Sequence, residues 1–148
     1  MNLLAHIASD VRLRLAVLNN SSPVGEAAQI LANPTTPLVV ICDGEGVAVG
    51  VVSRMDIVKL FSRAPDQASW SNAESIMTRS FLSFRDDQSL QLAWDELSSR
   101  GLRCAPMLDG SGRPVGVVHA RDLVRALLNE VSSEELMLRD YVLGVGYR

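Results

Sequence analysis

Aromatic residues are scarce in this chain, 5% of 148 residues, although 47% of the sequence is apolar. Aliphatic side chains must therefore supply most of the packing, as they do where helices cover a Val/Ile-rich sheet. Positive charge is not in excess either. The formal net charge is −3 and the signs alternate along the chain, so no basic field exists to hold nucleic acid, and none is expected as a partner. No apolar run approaches the roughly 20 residues that span a bilayer. The stretch from Met1 to Leu18 is broken by His6, Asp10, Arg12 and Arg14, and no small-residue cleavage site follows it, so it does not read as a secretory signal. Cysteine is limited to Cys42 and Cys104, each in an apolar, strand-like run. They read as buried, reduced thiols rather than a disulfide or metal pair, which fits a cytoplasmic protein away from membranes.

What the chain does contain is a repeat. Asp43 to Val58 reads Asp-Gly-x-Gly-x-x-Val-Gly-Val-Val-x-x-x-Asp-x-Val, and Asp109 to Val124 reads the same. The two copies stand 66 positions apart, as do Asp56 and Asp122. That period is too long for a solenoid unit and short for a free domain, so the halves should fold against each other as one domain. The same step sets Leu15 on Phe81, Val24 on Leu90, Ala27 on Ala93, Leu31 on Leu97 and Ile41 on Met107 without a gap.

In the first half, Ser21-Ser22-Pro23 offers a helix start, and Val24, Ala27, Ala28 and Leu31 recur at helical spacing. Asn33-Pro34 ends that helix. Leu38–Cys42 and Val47–Val52 then read as a hairpin around Asp43-Gly44-Glu45-Gly46, with Ser53 capping a following helix. In the second half, Phe81, Leu82 and Phe84 read as a short leading strand. Asp86 or Asp87 is expected to cap a helix carrying Leu90, Leu92, Ala93 and Leu97. Cys104–Leu108 and Val115–Val118 form the hairpin, and a helix from about Arg121 to Asn129 closes the unit. Ser62–Glu74 reads as a connecting loop. Ser132–Val142 is helix-like, with Leu136, Met137, Tyr141 and Val142 on one side.

The order of elements and the string Gly50-Val51-Val52-Ser53-Arg54-Met55-Asp56 resemble the CBS domain (cystathionine-β-synthase repeat), and the pair resembles a Bateman module over residues 11–128. Met77-Thr78 also fits the family's opening of a repeat. The resemblance implies an α/β fold of two pseudo-twofold-related β-α-β-β-α repeats packed through small mixed sheets. Residues 11–62 would be the first repeat, 63–76 a linker, 77–128 the second repeat, and 129–148 a C-terminal helix and tail. It also implies a homodimer built through helices, for which Met55–Phe61 and Leu123–Leu128 offer apolar faces.

Ser53 lies where a strand gives way to a helix, among free N–H groups at the positive end of the helix dipole. Asp56, three residues on, shares its face. A hydroxyl, open amides and a carboxylate suit an adenosine ligand, the carboxylate on ribose hydroxyls and the hydroxyl on phosphate; the same residues also make an ordinary helix cap. The resemblance implies ribose and phosphate binding by this Ser-x-x-Asp pattern. The second copy keeps Gly116 and Asp122 but places His119 where the hydroxyl belongs, so His119 either donates to phosphate or fills the cleft. Val39, Val40, Ala105 and Pro106, with Leu18 and Phe84, are candidates for a base slot or plain core. Thr78 is implied by the family as a ligand contact. Arg54, Lys59 and Arg79 are the nearest cations.

No reactive constellation emerges. His6 with Asp10, and His119 with Asp122, lack an activated nucleophile or metal set beside them. Each Gly-x-Gly lies between two strands, whereas a dinucleotide-binding loop runs from strand into helix. The chain reads as a regulatory, non-enzymatic module with no obligatory cofactor, sensing AMP, ADP or ATP, with NAD and S-adenosylmethionine behind them, and signalling to a separate effector protein. The rival reading is a dimerisation or protein-interaction module that binds no ligand.

Overall fold

The computed structural model describes residues 3–130, the side chain of Ser69 excepted. The helix expected over Ser132–Val142 lies outside the described residues. The chain opens with a 3-10 turn, Leu4–Ile7, and continues as α1 (Ala8–Leu13), β1 (Val17–Asn19), α2 (Val24–Leu31), β2 (Val39–Cys42), β3 (Ala48–Val52) and α3 (Arg54–Arg63). A 3-10 turn at Ala68–Trp70 and α4 (Ala73–Ile76) follow, then α5 (Leu90–Ser99), β4 (Cys104–Leu108) and β5 (Pro114–His119). Residues 120–130 form a last helix, α6. No helix among the described residues is long and apolar enough to cross a membrane.

The duplication is written into the sheets residue by residue. β2 pairs antiparallel with β3 as Val39–Val52, Val40–Val51, Ile41–Gly50 and Cys42–Ala48, with a bulge between Ile41 and Cys42. β4 pairs with β5 as Ala105–Val118, Pro106–Val117, Met107–Gly116 and Leu108–Pro114, with a bulge between Met107 and Leu108. Each pair, bulge included, is its counterpart moved by 66 positions. β1 lies parallel to β2 with Leu18 opposite Ile41. In the second half only the equivalent bridge survives, Phe84 opposite Met107. The strand expected over Phe81–Phe84 is thus a single bridge.

Why β2 sits at the centre follows from its composition. All four residues of Val39-Val40-Ile41-Cys42 are buried, the pattern of a strand covered on both faces. Successive side chains point to opposite faces. Val39 and Ile41 pack with Ala27 and Leu31 of α2. Val40 and Cys42 pack with Leu38 and with Val117 from the other half. The two sheets therefore meet through Val40 and Val117, with helices outside. On the second half, Leu90, Ala93 and Leu97 of α5 face Ala105, Met107 and Val118.

The turns also mirror each other. Gly46 and Gly112 both have φ +84°, a backbone that favours glycine. Asp43 Oδ1 accepts from the Glu45 and Val47 amides at 2.9 and 3.0 Å, and Asp109 Oδ1 accepts from those of Ser111 and Arg113 at the same distances. The turns touch across the pseudo-twofold axis, where the Ala48 N–H donates to Gly112 C=O at 3.0 Å. The reciprocal bond cannot form, because the residue equivalent to Ala48 is Pro114, which has no N–H.

Further local features differ from the sequence expectation or go beyond it. The cap of α5 is Ser89, whose Oγ accepts from the Leu92 N–H at 3.1 Å, not Asp86 or Asp87. The stretch joining the halves is not bare loop, since it contains the Ala68–Trp70 turn and α4. The N-terminal segment is helical and belongs to the core of the second half: Leu4 and Val11 pack with Phe84, Leu90 and Leu123. In the crossed sense, Ala73 and Met77 pack with Val39, Ile41 and Val52 of the first half.

Candidate functional site

The crossing of these lead-in segments explains the glycines of the duplicated string. A Cβ on Gly50 would lie 2.5–2.9 Å from the Met77 side chain, and one on Gly116 would run into Val11, 2.9 Å from its backbone carbonyl carbon and oxygen. The close approach that glycine permits is thus filled by the chain itself. Thr78 follows Met77 onto the same strand: its N–H donates to Val51 C=O at 2.8 Å and its C=O accepts from the Val51 N–H at 3.1 Å. The rest of Thr78 is exposed, one residue from the strand end that leads to Ser53.

At the start of α3, Ser53 and Asp56 form a reciprocal cap. The Ser53 N–H donates to Asp56 Oδ2 at 2.8 Å and the Ser53 hydroxyl to the same oxygen at 3.1 Å, while Ser53 Oγ accepts from the Asp56 N–H at 3.4 Å. This is the capping box that serine at the N-cap and an acid three residues later produce. Asp56 Oδ1 accepts no hydrogen bond among the described residues. Arg54, next to them, points elsewhere: it donates to the carbonyls of Leu31, Asn33 and Thr36 at 2.8–2.9 Å, tying the end of α2 to the start of α3.

The second copy is wired differently. His119 takes the cap position, and its Nδ1 accepts from the Arg121 N–H at 3.0 Å. Burial and then the positive charges of Arg121 and Arg14 hold the imidazole below its ordinary pKa, against a smaller opposing pull from Asp122. Asp122 does not turn back to its cap. Both of its oxygens are bound by Arg14, Nη2 to Oδ1 at 2.9 Å and Nη1 to Oδ2. Its side chain is 2% exposed, so this carboxylate is committed. The residue equivalent to Arg14 in the other half is Ser80, and that one difference leaves Asp56 without an arginine.

A cavity of about 460 Å³ lies beside the Arg14–Asp122 pair. α1 lines it with Asp10 and Leu13, the C-cap of α1 with Arg14, the loop before β2 with Pro34, Thr35 and Thr36, and α6 with Arg121. Sequence patterning gives no sign of Arg14 or of this loop, because neither lies in the duplicated string. The signal available is the spacing of Leu4, Ile7 and Val11, three and four apart, which marks a helical face running through the segment.

Of the base-slot candidates, Val39 and Val40 are fully buried and Ala105 nearly so. Pro106 is buried as well, and Leu18 is half-buried against the first-half cluster. Leu18 alone among these has surface to offer. Arg79 pairs with Glu74 at 3.4 Å on the exterior. Both cysteines are free; burial raises the Cys42 thiol and pushes Cys104 up to about 11, partly offset by Arg54 and Arg103.

A family model described as "CBS domain" matches residues 8–63 and again 73–129. The chain is similar to an uncharacterized 17.7 kDa protein of Acidianus ambivalens, 28% identical over 116 residues, covering 78% of this chain and 69% of that one. It is 25% identical over 128 residues to the homoserine O-acetyltransferase of Methanohalobium evestigatum, covering 85% of this chain but only 25% of the enzyme's length. Among solved structures, CBSX2, a CBS-pair protein from Arabidopsis thaliana, superposes in its complex with AMP at a TM-score of 0.73, with 26% identity, covering 87% of this chain and 98% of that one. The CBS domain pair of protein MJ0100, solved with 5′-methylthioadenosine and S-adenosyl-L-methionine, has the same fold at a TM-score of 0.73 and 23% identity, covering 88% and 98%.

Proposed function

The chain belongs to the CBS domain family, and on that premise we propose that it is a regulatory module that binds an adenosyl ligand at the Ser53–Asp56 cleft. The observation that carries this reading is the inequality of the two aspartates. Asp56 keeps Oδ1 open at the end of a strand and the start of a helix, and Asp122 has both oxygens on Arg14. A carboxylate oxygen without a partner accepts from a ribose hydroxyl at no cost in broken bonds, whereas Asp122 would have to give up a buried pair. Ser53 supplies a hydroxyl and Thr78 an exposed side chain nearby. The half-buried Leu18 packs in the first-half cluster that holds Val39. The AMP complex of CBSX2 supports AMP as the first ligand to test, ahead of ADP, ATP, NAD and S-adenosylmethionine.

Binding shifts the module only by as much as the ligand prefers one state over the other. The capping box is the element such a ligand meets, so α3 is where the change would begin. α3 exposes Met55, Val58 and Phe61, and α6 exposes Leu128. These residues are the surface through which a homodimer, or a separate effector, would read it. Leu123 is not part of that surface, being buried in the second-half core.

Calorimetric titration with the five ligands tests the reading. Saturable heat and a thermal shift with one of them are expected. Silence from all five at millimolar concentration would leave the interaction-module reading in its place.

A further inference from the structure

Arg54 sits inside the duplicated string, yet its hydrogen bonds end on the loop that walls the cavity beside Arg14. We infer that Arg54 is a positioning residue that couples the two places. It ties the Ser53–Asp56 cap to the loop at Asn33–Thr36, so that a change at the cap moves the loop.

A helix leaves its last carbonyls without partners of its own, and the two halves meet this need differently. In the second half Gly101, at φ +65°, turns the chain back on α5. The Gly101 and Leu102 N–H groups donate to the Ser98 and Leu97 carbonyls at 3.2 and 2.9 Å. The residue equivalent to Gly101 is Thr35, which stays out of that backbone region. There the Arg54 guanidinium takes the carbonyls instead, Nε on Leu31 at 2.9 Å and Nη2 on Asn33 and Thr36 at 2.8 Å each. The residue equivalent to Arg54 is Ala120, whose side chain has no donor. The tie therefore exists in the first half alone.

Among the described residues, Arg54 is the only hydrogen-bonded link from Asn33–Thr36 to another element. The Asn33 N–H donates to Ile30 C=O at 3.2 Å and the Thr36 N–H to Asn33 C=O at 3.1 Å. Thr35 donates its N–H and hydroxyl to Asn33 Oδ1 at 3.0 and 2.8 Å. All of these bonds stay within the loop and the end of α2. Asn33, Pro34 and Thr35 are exposed and Thr36 is half-buried, so no buried side chain anchors the loop either.

Arg54 is the first residue of α3, held between the two partners of the cap. The Ser53 hydroxyl donates to Asp56 Oδ2 at 3.1 Å, so a ligand that takes this hydroxyl reorders the cap and shifts the root of Arg54. A planar guanidinium on three carbonyls passes that shift on with little slack. Such coupling is reciprocal: an occupant of the cavity that moves the loop acts on the cap to the same extent. The wiring stands without a ligand; its use for signalling rests on the Ser53–Asp56 reading.

The test follows the Thr35 and Thr36 amides by NMR in the isotope-labelled full chain, first without ligand. Ser53→Ala, which breaks the cap, should shift both amides. The same change made in Arg54→Ala should leave them where Arg54→Ala alone puts them, a double-mutant cycle whose coupling has vanished. Alanine is what the second half carries at this place, so Arg54→Ala retains the fold. Arg54→Lys keeps the charge but not the fork and should transmit part of the shift. Lower stability in Arg54→Ala is what a plain helix cap would also give; a transmitted shift is not. No shift in the parent background, or an equal one with and without Arg54, overturns the inference.

Saturating AMP then replaces Ser53→Ala. Thr35 and Thr36 should shift in the parent and not in Arg54→Ala, and shifts that are the same in both proteins overturn the coupling. A parent in which AMP shifts no amide at all speaks against the ligand reading, and the ligand-free cycle alone then decides the coupling.

Discussion

Arg14 and Asp122 lie 108 positions apart and meet as a two-point pair, with Arg14 Nη2 on Asp122 Oδ1 at 2.9 Å. The pair ties the N-terminal helix to the last one and buries the carboxylate. Removing one partner from such a pair leaves a charge without compensation, and Arg14→Ala should cost about 3 kcal/mol. Arg14→Met combined with Asp122→Leu should recover most of that loss. Urea unfolding of the single and double variants checks it. Equal stability of Arg14→Ala and the parent would mean the pair contributes nothing.

The two string glycines should not be equivalent. Gly116→Ala puts a methyl against the Val11 backbone, which cannot step aside, while Gly50→Ala meets the Met77 side chain. Gly116→Ala should therefore be the more destabilising, with overpacking at either site costing about 1–3 kcal/mol. Met77→Ala should relieve Gly50→Ala in a double variant. Thermal melts that rank the two glycines the other way would contradict the crossed packing.

His119 should make stability depend on pH in the acid direction. Its folded pKa lies below the ordinary 6.5, so the unfolded chain binds the proton more readily. Stability is then full above about pH 6.5 and falls as the pH drops through that value towards the folded one. Protonation also removes Nδ1 as the acceptor for the Arg121 N–H. His119→Asn should flatten the slope of unfolding free energy between pH 7 and 5, and a slope identical to the parent's would assign the acid sensitivity elsewhere.

Much of the fold was legible because the repeat fixes register. The step of 66 carries Leu18–Ile41 onto Phe84–Met107 and reproduces even the bulge after Ile41. Periodicity marks α2 and α5 through Val24, Ala27 and Leu31 and their equivalents, since those residues are the buried face. Ser53 and Asp56 were legible as a helix start because capping is local chemistry. Arg14 was not, for its role depends on a contact across 108 positions that no local pattern encodes. The same is true of Val11 and Met77, each of which packs on the half it does not belong to. The departure of His119 from serine signalled unequal clefts, but the residue that separates them most is Arg14, standing where the other half has Ser80.

The central claim is that Asp56, not Asp122, holds the adenosyl ligand, and AMP titration of the parent and the Asp56→Ala variant tests it most directly. One AMP per chain in the parent, and affinity weakened by about tenfold or more in Asp56→Ala, is the predicted result. Unchanged AMP affinity in Asp56→Ala would contradict it.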